Sequence, residues 1–291
     1  MQAYIGGIVK YSETDWPGKA SMVIFFSGCD FNCPFCRTPE ILGFKKELSR
    51  DLREIKKEIE NNFDINAVVF TGGEPCLQKL ALSDLAKFCK EHDLAVAVET
   101  NGSRPDTIKA LIDEKLVDFI RLDFKAPLND ADDEKNNEHL QKVTESSTFF
   151  RPIQQVADDF RQTLEILKKN LASESNFKNK IMLELRTTIV PNLMFKRESL
   201  LSIASEINKL INESDEFNSG RIKWVLQKFT PYEKILSKRF QNINSPSDEF
   251  LDTILGVIIK EYPKINVEIR NDMSSLSLAP EIIFENKEAE E

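Results

Sequence analysis

Three cysteines lie close together near the start of the chain and are its strongest chemical feature. Cys29, Cys33 and Cys36 follow a C-x3-C-x2-C spacing within the segment SGCDFNCPFCRTPE. One interpretation is a zinc site or a set of unrelated buried cysteines, although structural zinc prefers paired C-x2-C units and a fourth ligand. The other is an iron–sulfur cluster. Three cysteines on a four-iron cluster leave one iron open to a substrate or cofactor.

A glycine pair followed by a carboxylate forms a second candidate site, in the sequence TGGEP at positions 71–75. A tight turn between a strand and a helix would explain this pattern without any ligand. The pair Gly72 and Gly73 also lets the backbone approach a ligand closely. The carboxylate of Glu74 can then pair with an ammonium group.

Charged and polar residues stand at the ends of two further candidate strands. Glu99 and Thr100 end one of them, and Asp123 and Lys125 lie at the end of the next. A charge at the end of a buried strand is unfavourable unless it is paired or used. Because alternate residues of a strand share a face, Asp123 and Lys125 can line one pocket. A structural ion pair between them is the alternative.

Short apolar runs, each followed by a turn and an amphipathic stretch, predict the elements that must position these residues. The runs are nearly continuous, as expected for strands buried on both faces of a parallel sheet. They lie at Met22–Ser27, Ala67–Thr71, Leu94–Glu99, Val117–Asp123, Ile181–Val190 and Arg221–Phe229. Helical patterns lie between them, and Ser49 is the candidate cap of the first helix.

The number of these units predicts the fold class. Six strand–helix units are fewer than the eight of a closed barrel. We therefore expect an α/β fold, a partial TIM-type (β/α)6 barrel with a curved parallel sheet. Flanking strands are expected at Tyr4–Val9 and Ile265–Arg270. The carboxyl ends of parallel strands are where such folds place their sites, and the candidate residues described above follow the first four strands.

A single domain over residues 1–275 is the expected organisation, and the strand at the N-terminus is an extension of its core. The polar segment at about 129–147 is expected to be an inserted mobile loop. The acidic end, residues 276–291, is expected to be a disordered tail.

Composition narrows the function classes. The chain has 291 residues, of which 41% are hydrophobic and 30% charged, and a net charge of −9. These values are typical of a globular protein, and the acidic balance argues against a general nucleic-acid binder. No apolar run approaches the ~20 residues that span a bilayer, and the first residues lack the features of a secretory signal. We therefore expect a cytoplasmic protein without a membrane role.

The cysteine and histidine counts limit the metal chemistry. Five cysteines, an odd number, argue against a disulfide framework. The two histidines, His92 and His139, cannot form a three-histidine zinc site, and we expect both on the solvated surface. Cys76, at a predicted helix start near the pocket, is a candidate for a lowered thiol pKa. Cys89 is expected to be a small core residue.

The cysteine spacing, with Phe35 before the last cysteine, resembles the signature of the radical S-adenosylmethionine (SAM) enzymes. This resemblance implies a [4Fe-4S] cluster held by Cys29, Cys33 and Cys36, with Phe35 near the cofactor. In that family the open iron chelates the amino and carboxylate groups of SAM. The reduced cluster passes one electron to the sulfonium, and cleavage gives methionine and a 5′-deoxyadenosyl radical that abstracts hydrogen.

The glycine-rich turn resembles a second motif of the same family. The sequence at 71–75 is similar to its GGEP motif, which implies that Gly72, Gly73 and Glu74 hold the methionine amino group of the cofactor. Two such motifs at the ends of successive strands argue against a chance match.

The charged strand ends resemble the D-T-N-G and D-x-K motifs of the subgroup that activates glycyl-radical enzymes. The resemblance implies that Glu99, Thr100 and Asp123 bind the cofactor region together with a monovalent cation, and that Lys125 contacts the cofactor itself. This sequence departs from the pattern at Glu99, where the subgroup has Asp.

The segment before the first predicted parallel strand carries a further resemblance, and this one implies a partner protein. Its S-x-x-D-x-P-G pattern, which contains Asp15, is similar to the opening of the activating proteins of anaerobic ribonucleotide reductase and pyruvate formate-lyase. In that subgroup the Asp lies near the glycine loop of the partner, although a turn residue would look the same. The implied partners are a glycyl-radical enzyme, an anaerobic ribonucleotide reductase, and a low-potential electron donor.

Two departures keep other functions open. Arg37 and Thr38 follow the third cysteine, where the subgroup commonly has His-Asn, and the polar insertion is unusual in content. One alternative is a radical SAM enzyme that acts on a small molecule, similar to 7-carboxy-7-deazaguanine synthase, or on another polypeptide. The other is a metal-binding scaffold without enzymatic activity.

Overall fold

The computed structural model describes residues 1–128, 137–146, 151–172, 181–212 and 221–271. In these ranges, nine strands form one sheet in the order β3-β1-β2-β4-β5-β6-β7-β8-β9. The strands are β1 (Gln2–Ser12), β2 (Ser21–Phe26), β3 (Ser49–Asp51), β4 (Ala67–Gly72), β5 (Ala95–Thr100), β6 (Phe119–Asp123), β7 (Met182–Ile189), β8 (Ile222–Lys228) and β9 (Val267–Arg270).

The sheet is mostly parallel. Strands β2 and β4 to β9 pair in parallel, whereas β1 is antiparallel to both β2 and β3. The two edge strands, β3 and β9, do not pair with each other, so the sheet is not closed. The predicted α/β fold with a curved, partly closed parallel sheet is confirmed. Each of the six parallel strands β2 and β4 to β8 is followed by a helical segment before the next parallel strand, which gives the six expected units, and β9 follows the last.

Eight α-helices connect the strands within the described ranges. They are α1 (Leu52–Glu60), α2 (Lys79–Glu91), α3 (Pro105–Asp113), α4 (Asn137–Thr144), α5 (Ile153–Ala172), α6 (Arg197–Asn212), α7 (Lys238–Gln241) and α8 (Asp248–Glu261). None of the helices in these ranges is long and apolar enough to cross a membrane.

The start of the first helix differs from expectation. Ser49 was the expected cap, but Ser49–Asp51 forms the short edge strand β3. The carboxylate of Asp51 caps α1 instead, accepting a hydrogen bond from the backbone N–H of Arg53 at 2.9 Å. Sequence spacing could not separate these two oxygen-bearing residues, because both are good caps. Pairing with β1 continues as far as Asp51, so the helix begins only at Leu52 and Asp51, not Ser49, stands at the cap position.

Alternate residues of each parallel strand face either the helices or the interior of the curved sheet. The helix-facing side is apolar: Ile24, Phe70, Val98 and Leu122 are fully buried and belong to one large core with the helices. The interior side begins with a small apolar cluster near β2 and β4. Towards β9 it becomes charged, and it is this side that holds the candidate site.

The polar insertion is only partly a loop. Residues 137–144 form α4, whose Leu140 and Val143 are buried, because a polar stretch can still carry apolar residues at helical spacing. His139 on α4 is not on the solvated surface as expected, since its Nε2 lies 3.0 Å from the carbonyl oxygen of Leu193. Residues 129–136 and 147, and the tail predicted at 276–291, lie outside the described residues.

Candidate active site

The cysteine segment follows β2 and is shaped by backbone hydrogen bonds from several parts of the fold. The N–H of Cys29 donates to the carbonyl of Leu42 at 3.0 Å, and the N–H of Asn32 donates to Thr144, at the end of α4, at 2.8 Å. A bond of 2.8 Å from the N–H of Cys36 to the carbonyl of Cys33 closes the last turn. The loop therefore holds its shape through backbone contacts that do not involve the thiols.

A half-buried carboxylate fastens the same segment to the chain that leads into the neighbouring helices. Asp30 accepts hydrogen bonds from Asn101 Nδ2 at 3.0 Å and Arg104 Nη2 at 3.3 Å, and it forms an ion pair with Arg151. Arg151 in turn contacts Asp159 of α5 at 2.8 Å. No sequence pattern predicts these ion pairs, because the residues that form them are far apart in the chain and have no common spacing.

The three predicted thiols come together on the wall of one cavity at the carboxyl end of the sheet. Cys33 is buried, and Cys29 and Cys36 are half-buried. Burial raises the pKa of each thiol, and that of Cys33 to about 12. Metal binding must therefore displace protons from these cysteines, as is usual for thiolate ligands.

The donor set fits an iron–sulfur cluster. In such a cluster each thiolate binds a different iron, and Cys29, Cys33 and Cys36 all line one cavity. Polar groups also face the sulfurs. Cys29 Sγ lies 3.4 Å from the N–H nitrogen of Phe31 and 3.9 Å from Asn101 Nδ2, and Cys36 Sγ lies 3.9 Å from the hydroxyl of Thr38. Hydrogen bonds to sulfur are one means by which proteins tune cluster potentials.

The glycine pair brings the end of β4 against the cysteine loop. The N–H groups of Gly73 and Glu74 donate to the carbonyls of Phe26 and Gly28, each at 2.8 Å. A Cβ on Gly73 would collide with the carbonyl oxygen of Gly28. Gly72 has φ +115°, a conformation that favours glycine. Both glycines line the cavity, so their lack of side chains serves the packing of two loops as well as access to a ligand.

Glu74 lies behind the cavity wall, which differs from the expected contact with a ligand. Its side chain is fully buried and does not line the cavity. Its carboxylate accepts hydrogen bonds from the hydroxyl of Thr100 at 2.8 Å, the N–H of Asn101 at 2.6 Å and the N–H of Cys76 at 3.0 Å. Burial raises the pKa of Glu74 to about 7, since no cationic partner offsets the loss of water. In this structure it organises the turn.

Lys125 and Asp123 face the cavity together, as their alternation on the strand predicted. Lys125 Nζ lies 2.7 Å from an oxygen of Asp123 and 5.9 Å from the ring centroid of Phe35, which also lines the cavity. Burial alone would lower the pKa of Lys125, but the Asp123 carboxylate raises it above its usual value. The lysine is therefore a permanent cation next to Cys33 and the predicted aromatic residue.

Two arginines that sequence reasoning missed occupy the region where a monovalent cation was expected. Glu99 pairs with Arg121 and also accepts from the hydroxyl of Thr71 at 3.0 Å. Arg186 donates from Nε to Asp123 at 2.7 Å and lies 3.5 Å from the second oxygen of Glu99. Each carboxylate oxygen that would bind the ion already accepts from a protein donor. The residues present do not fit a monovalent cation.

These arginines belong to a ladder of charges across the inner face of the sheet. Arg121 lies beside Glu99 of β5 and Glu184 of β7 in the strand register, and its Nε contacts Glu184 at 2.6 Å. Arg270 of β9 donates two hydrogen bonds of 2.8 Å to the same carboxylate. Burial opposes ionisation of Glu184, but Arg270 and Arg121 together lower its pKa to about 2. The sequence feature that could have predicted this ladder is the pair of charges, Glu184 and Arg186, at alternate positions of the buried strand β7.

Asp15 does not lie at the mouth of the cavity, where a partner loop was expected to approach it. It is buried, with 2% of its surface exposed, and its carboxylate accepts a hydrogen bond from the hydroxyl of Ser12. Its backbone carbonyl accepts from Arg121 Nη2 at 2.9 Å, and the neighbouring Trp16 packs on Phe119 at the start of β6. The segment therefore closes the inner face from the amino ends of the strands.

The two spare cysteines are both buried and unpaired to sulfur. Burial raises the pKa of Cys76 well above its usual value, which is opposite to the lowered pKa considered for it. Cys89 lies in the helix-facing core on α2, as expected. Neither residue lines the cavity.

Comparison with known proteins assigns this arrangement to a family. The model of the radical SAM superfamily matches residues 23–183, a range that contains the three cysteines, the glycine-rich turn and Lys125. The chain belongs to the radical SAM superfamily. Its family implies a [4Fe-4S] cluster and SAM as cofactors, and the cavity donors fit the cluster.

The similar proteins fall into two functional groups. A Methanocaldococcus jannaschii protein named "Putative glycyl-radical enzyme activating enzyme" is 31% identical over 93% of this chain and 97% of its own length. The pyruvate formate-lyase-activating enzyme of Clostridium pasteurianum is 31% identical over 42% of this chain and 52% of its own length. The 7-carboxy-7-deazaguanine synthase of Hyperthermus butylicus is 33% identical over 32% of this chain and 39% of its own length.

A solved structure supports the fold. The crystal structure of QueE from Escherichia coli superposes with a TM-score of 0.50 over 94% of this chain and 95% of its own length. Its sequence is 14% identical, so the likeness concerns the fold alone.

Proposed function

We propose that the protein is a radical SAM activating enzyme that abstracts hydrogen from a glycine of a partner glycyl-radical enzyme. The observation that carries the proposal is the match, over nearly the full length of both chains, to the Methanocaldococcus protein that bears this activity in its name. The partial match to a pyruvate formate-lyase-activating enzyme supports the same class. An anaerobic ribonucleotide reductase is one of the two partners that the N-terminal S-x-x-D-x-P-G pattern implies.

The cavity residues divide into a metal wall and a cofactor wall. Cys29, Cys33 and Cys36 would hold the cluster, and the cluster with SAM supplies one-electron cleavage to methionine and a 5′-deoxyadenosyl radical. The backbone at Gly72 and Gly73 is hydrogen-bonded to the cysteine loop and also lines the cavity. A cofactor in the cavity would therefore contact both segments. Neither glycine has a side chain that would block it.

Lys125 is suited to bind the anionic part of the cofactor. It remains charged because Asp123 offsets its burial, and a buried cation binds a carboxylate more strongly than an exposed one. Thr100 and Phe35 line the same cavity. Glu74 acts on this wall indirectly, because its three hydrogen bonds hold the glycine turn against the end of β5.

The apolar part of the cavity wall protects a reactive intermediate. Phe31, Phe35, Leu42 and Phe229 line the space together with the thiols. Apolar walls exclude water and side reactions once a substrate closes the entrance. A glycine loop is a suitable substrate for such a space, since glycine has no side chain to fill it.

The second candidate is a radical SAM enzyme of the 7-carboxy-7-deazaguanine synthase type, acting on a small molecule. The match to the Hyperthermus enzyme favours it, and so does an arginine in the cavity, Arg37, that has no carboxylate partner among the described residues. The name of that enzyme gives it a carboxylated product, for which such an arginine would be a binding group.

Transfer of deuterium separates the two candidates. The protein is reconstituted with iron and sulfide without oxygen, reduced, and mixed with SAM and a glycyl-radical enzyme whose glycines carry deuterium at Cα. The proposal predicts a glycyl-radical signal in the electron paramagnetic resonance spectrum and one deuterium in the 5′-deoxyadenosine formed.

Two results would contradict this proposal. Cofactor cleavage without a glycyl radical, for every glycyl-radical enzyme of the source organism, would favour the small-molecule candidate. A protein that takes up zinc, forms no iron–sulfur cluster and cleaves no SAM would leave only the metal-binding scaffold.

A further inference from the structure

Arg37 lines the cavity directly after the third cysteine and is held by the loop that follows β8. Its Nη1 donates a hydrogen bond of 3.0 Å to the carbonyl of Thr230, and the guanidinium carbon lies 4.8 Å from the ring centroid of Tyr232. Its Nε is buried and has no hydrogen-bond acceptor among the described residues. A buried donor of this kind costs free energy unless something binds it.

The other two cations of the cavity wall already have carboxylate partners, and both contact Asp123. Lys125 contacts Asp123 at 2.7 Å, and Arg186 contacts Asp123 at 2.7 Å and Glu99 at 3.5 Å. Arg37 contacts a neutral carbonyl and an aromatic ring, but no carboxylate among the described residues. Among the described residues, it is therefore the cation of this wall without a carboxylate partner.

The loop that carries these contacts is fixed to the cysteine segment, so the guanidinium is held in place before any ligand arrives. The N–H groups of Leu236 and Ser237 donate to the carbonyls of Cys36 and Pro34, at 2.9 and 3.0 Å. Ile235 is buried in a small apolar cluster with residues of the same loop. A planar guanidinium fixed in this way presents a fork that matches a carboxylate.

Arg37 also lies away from the glycine turn, to which the resemblance assigns the amino group of the cofactor. Its partner Thr230 is two residues beyond the end of β8, whereas Gly72 ends β4. Strand β8 is four positions along the sheet from β4. A carboxylate bound at Arg37 would thus stand across the cavity from the glycine turn, on the side left for a substrate.

We propose that Arg37 binds a carboxylate of the substrate. The inference rests on the proposed function to the extent that the cavity is a radical SAM site. The carboxylate could come from an acidic side chain beside the target glycine of a protein, or from a small molecule of the kind that the deazaguanine enzymes handle. Both sources share the chemistry that a guanidinium recognises, and the experiment separates them.

Paired acid and amide probes test this inference by binding. The protein is loaded with iron, sulfide and SAM, and calorimetry under anaerobic conditions measures the affinity of four probes. Two are glycine-containing peptides that differ only by Glu or Gln beside the glycine. The other two are 7-carboxy-7-deazaguanine and its carboxamide. We expect one acid to bind about tenfold more tightly than its amide, the scale of one charge-assisted hydrogen bond.

Variants assign the preference to Arg37. Arg37→Gln should remove the difference between acid and amide, and Arg37→Lys should retain part of it, because lysine keeps the charge but not the fork. Both should leave the affinity for SAM within about twofold, in contrast to the tenfold step of a lost charge contact. Lys45→Gln is the matched control, since Lys45 is an exposed cation of the following segment. Iron content and circular dichroism confirm that each variant is folded and loaded.

Each remaining outcome overturns one proposal and not the other. Equal affinity for acid and amide in both pairs excludes a carboxylate site at Arg37, even if the glycyl radical forms. A tenfold loss of SAM affinity in Arg37→Gln, with the acid preference intact, assigns the residue to the cofactor. Preference for the deazaguanine acid, lost in Arg37→Gln, in a protein that forms no glycyl radical would keep the site and refute the activating function.

Discussion

The two faces of the parallel sheet bury different kinds of side chain. The face towards the helices is apolar, and its Ile24, Phe70 and Leu122 are fully buried. The inner face buries Arg121 and Glu184 almost as completely, with 1% and 5% of their surface exposed. Apolar residues gain free energy from leaving water, whereas buried charges regain their lost hydration only through well-made pairs.

The charges buried on the inner face point to a role of that face in the cavity. A buried ion pair is often no more stabilising than apolar residues of the same size, so stability does not explain the ladder from Glu99 to Arg270. The ladder instead sets the charges at the cavity. Arg186 and Lys125 hold Asp123 ionised, with a pKa well below its usual range despite burial, and leave fixed positive groups where an anionic ligand would lie.

The largest contrast should appear between a cysteine on the cavity wall, at the carboxyl end of the sheet, and one on the helix α2. Cys33 lines the cavity, and Cys89 is buried among helix-facing residues. We expect Cys33→Ser to lose cluster assembly and SAM cleavage entirely, because serine is a poor ligand for iron in these clusters. Cys89→Ser should keep both and lose only stability. Iron and sulfide analysis after anaerobic reconstitution measures the difference, and equal iron content in the two variants would refute the assignment.

Removing the centre of the ladder should be the next largest effect. Arg121→Met leaves Glu99 and Glu184 buried without this partner, and breaking a buried pair in this way costs about 3–5 kcal/mol. The neighbouring Ile120→Val, on the helix-facing side, should cost about 1 kcal/mol. Urea unfolding of both variants measures the two costs. A loss in Arg121→Met no greater than in Ile120→Val would mean that the ladder does not behave as a buried ionic network.

The two faces also differ in how far the sequence predicts them. The hydrophobic pattern predicted the ends of the parallel strands to within about two residues, because a buried strand can be recognised from its short run of apolar residues. The cysteines and the glycine turn were found by their spacing within short segments. The partners of Glu99 and Glu184 were not found, because Arg121 and Arg270 meet them only through the register of the five strands β5 to β9. Long-range pairing of this kind leaves no local pattern.

Corrections to the candidate site have the same origin. Asp15 and Glu74 were predicted to face a partner loop and a cofactor, but their surroundings could not be predicted from neighbouring residues. Asp15 is buried because its segment packs beneath Arg121, and Glu74 because three donors from two segments surround it. Whether a carboxylate faces a ligand or the protein is decided by contacts made across the fold.

The pH dependence of stability should distinguish a carboxylate with cationic partners from one without. Glu74 has a pKa raised to about 7 by burial, against a usual value of 4.5. The folded protein then retains a proton that the unfolded chain releases, so the free energy of unfolding falls as the pH rises from 4.5 to 7, by up to about 3 kcal/mol. Glu74→Gln removes this titration and should flatten the decline by that amount.

Glu184 supplies the control for that experiment. Its pKa is lowered to about 2 by the two arginines, so its contribution is present above about pH 4.5 and is lost only as the pH falls towards 2. Glu184→Gln should therefore leave the slope between pH 4.5 and 7 unchanged, although it lowers stability throughout. Urea unfolding of the metal-free protein at several pH values gives both slopes. An unchanged slope in Glu74→Gln would show that Glu74 is ionised across this range.

The smallest expected effect is that of a monovalent cation on the affinity for SAM. It tests whether the arginines of the inner face take the place of that cation. Because Arg186 and Arg121 already occupy the oxygens of Asp123 and Glu99, we expect the affinity for SAM to be the same in potassium and in tetramethylammonium chloride. Arg186→Met frees one oxygen of Asp123, and potassium should then improve the affinity of that variant about tenfold, since two unit charges about 4 Å apart attract by about 1 kcal/mol even in bulk water. Lys45→Gln, which changes a cation outside the cavity, should stay insensitive. A potassium requirement in the unaltered protein would mean that a cation binds despite the arginines, and that the ladder serves only to join the strands.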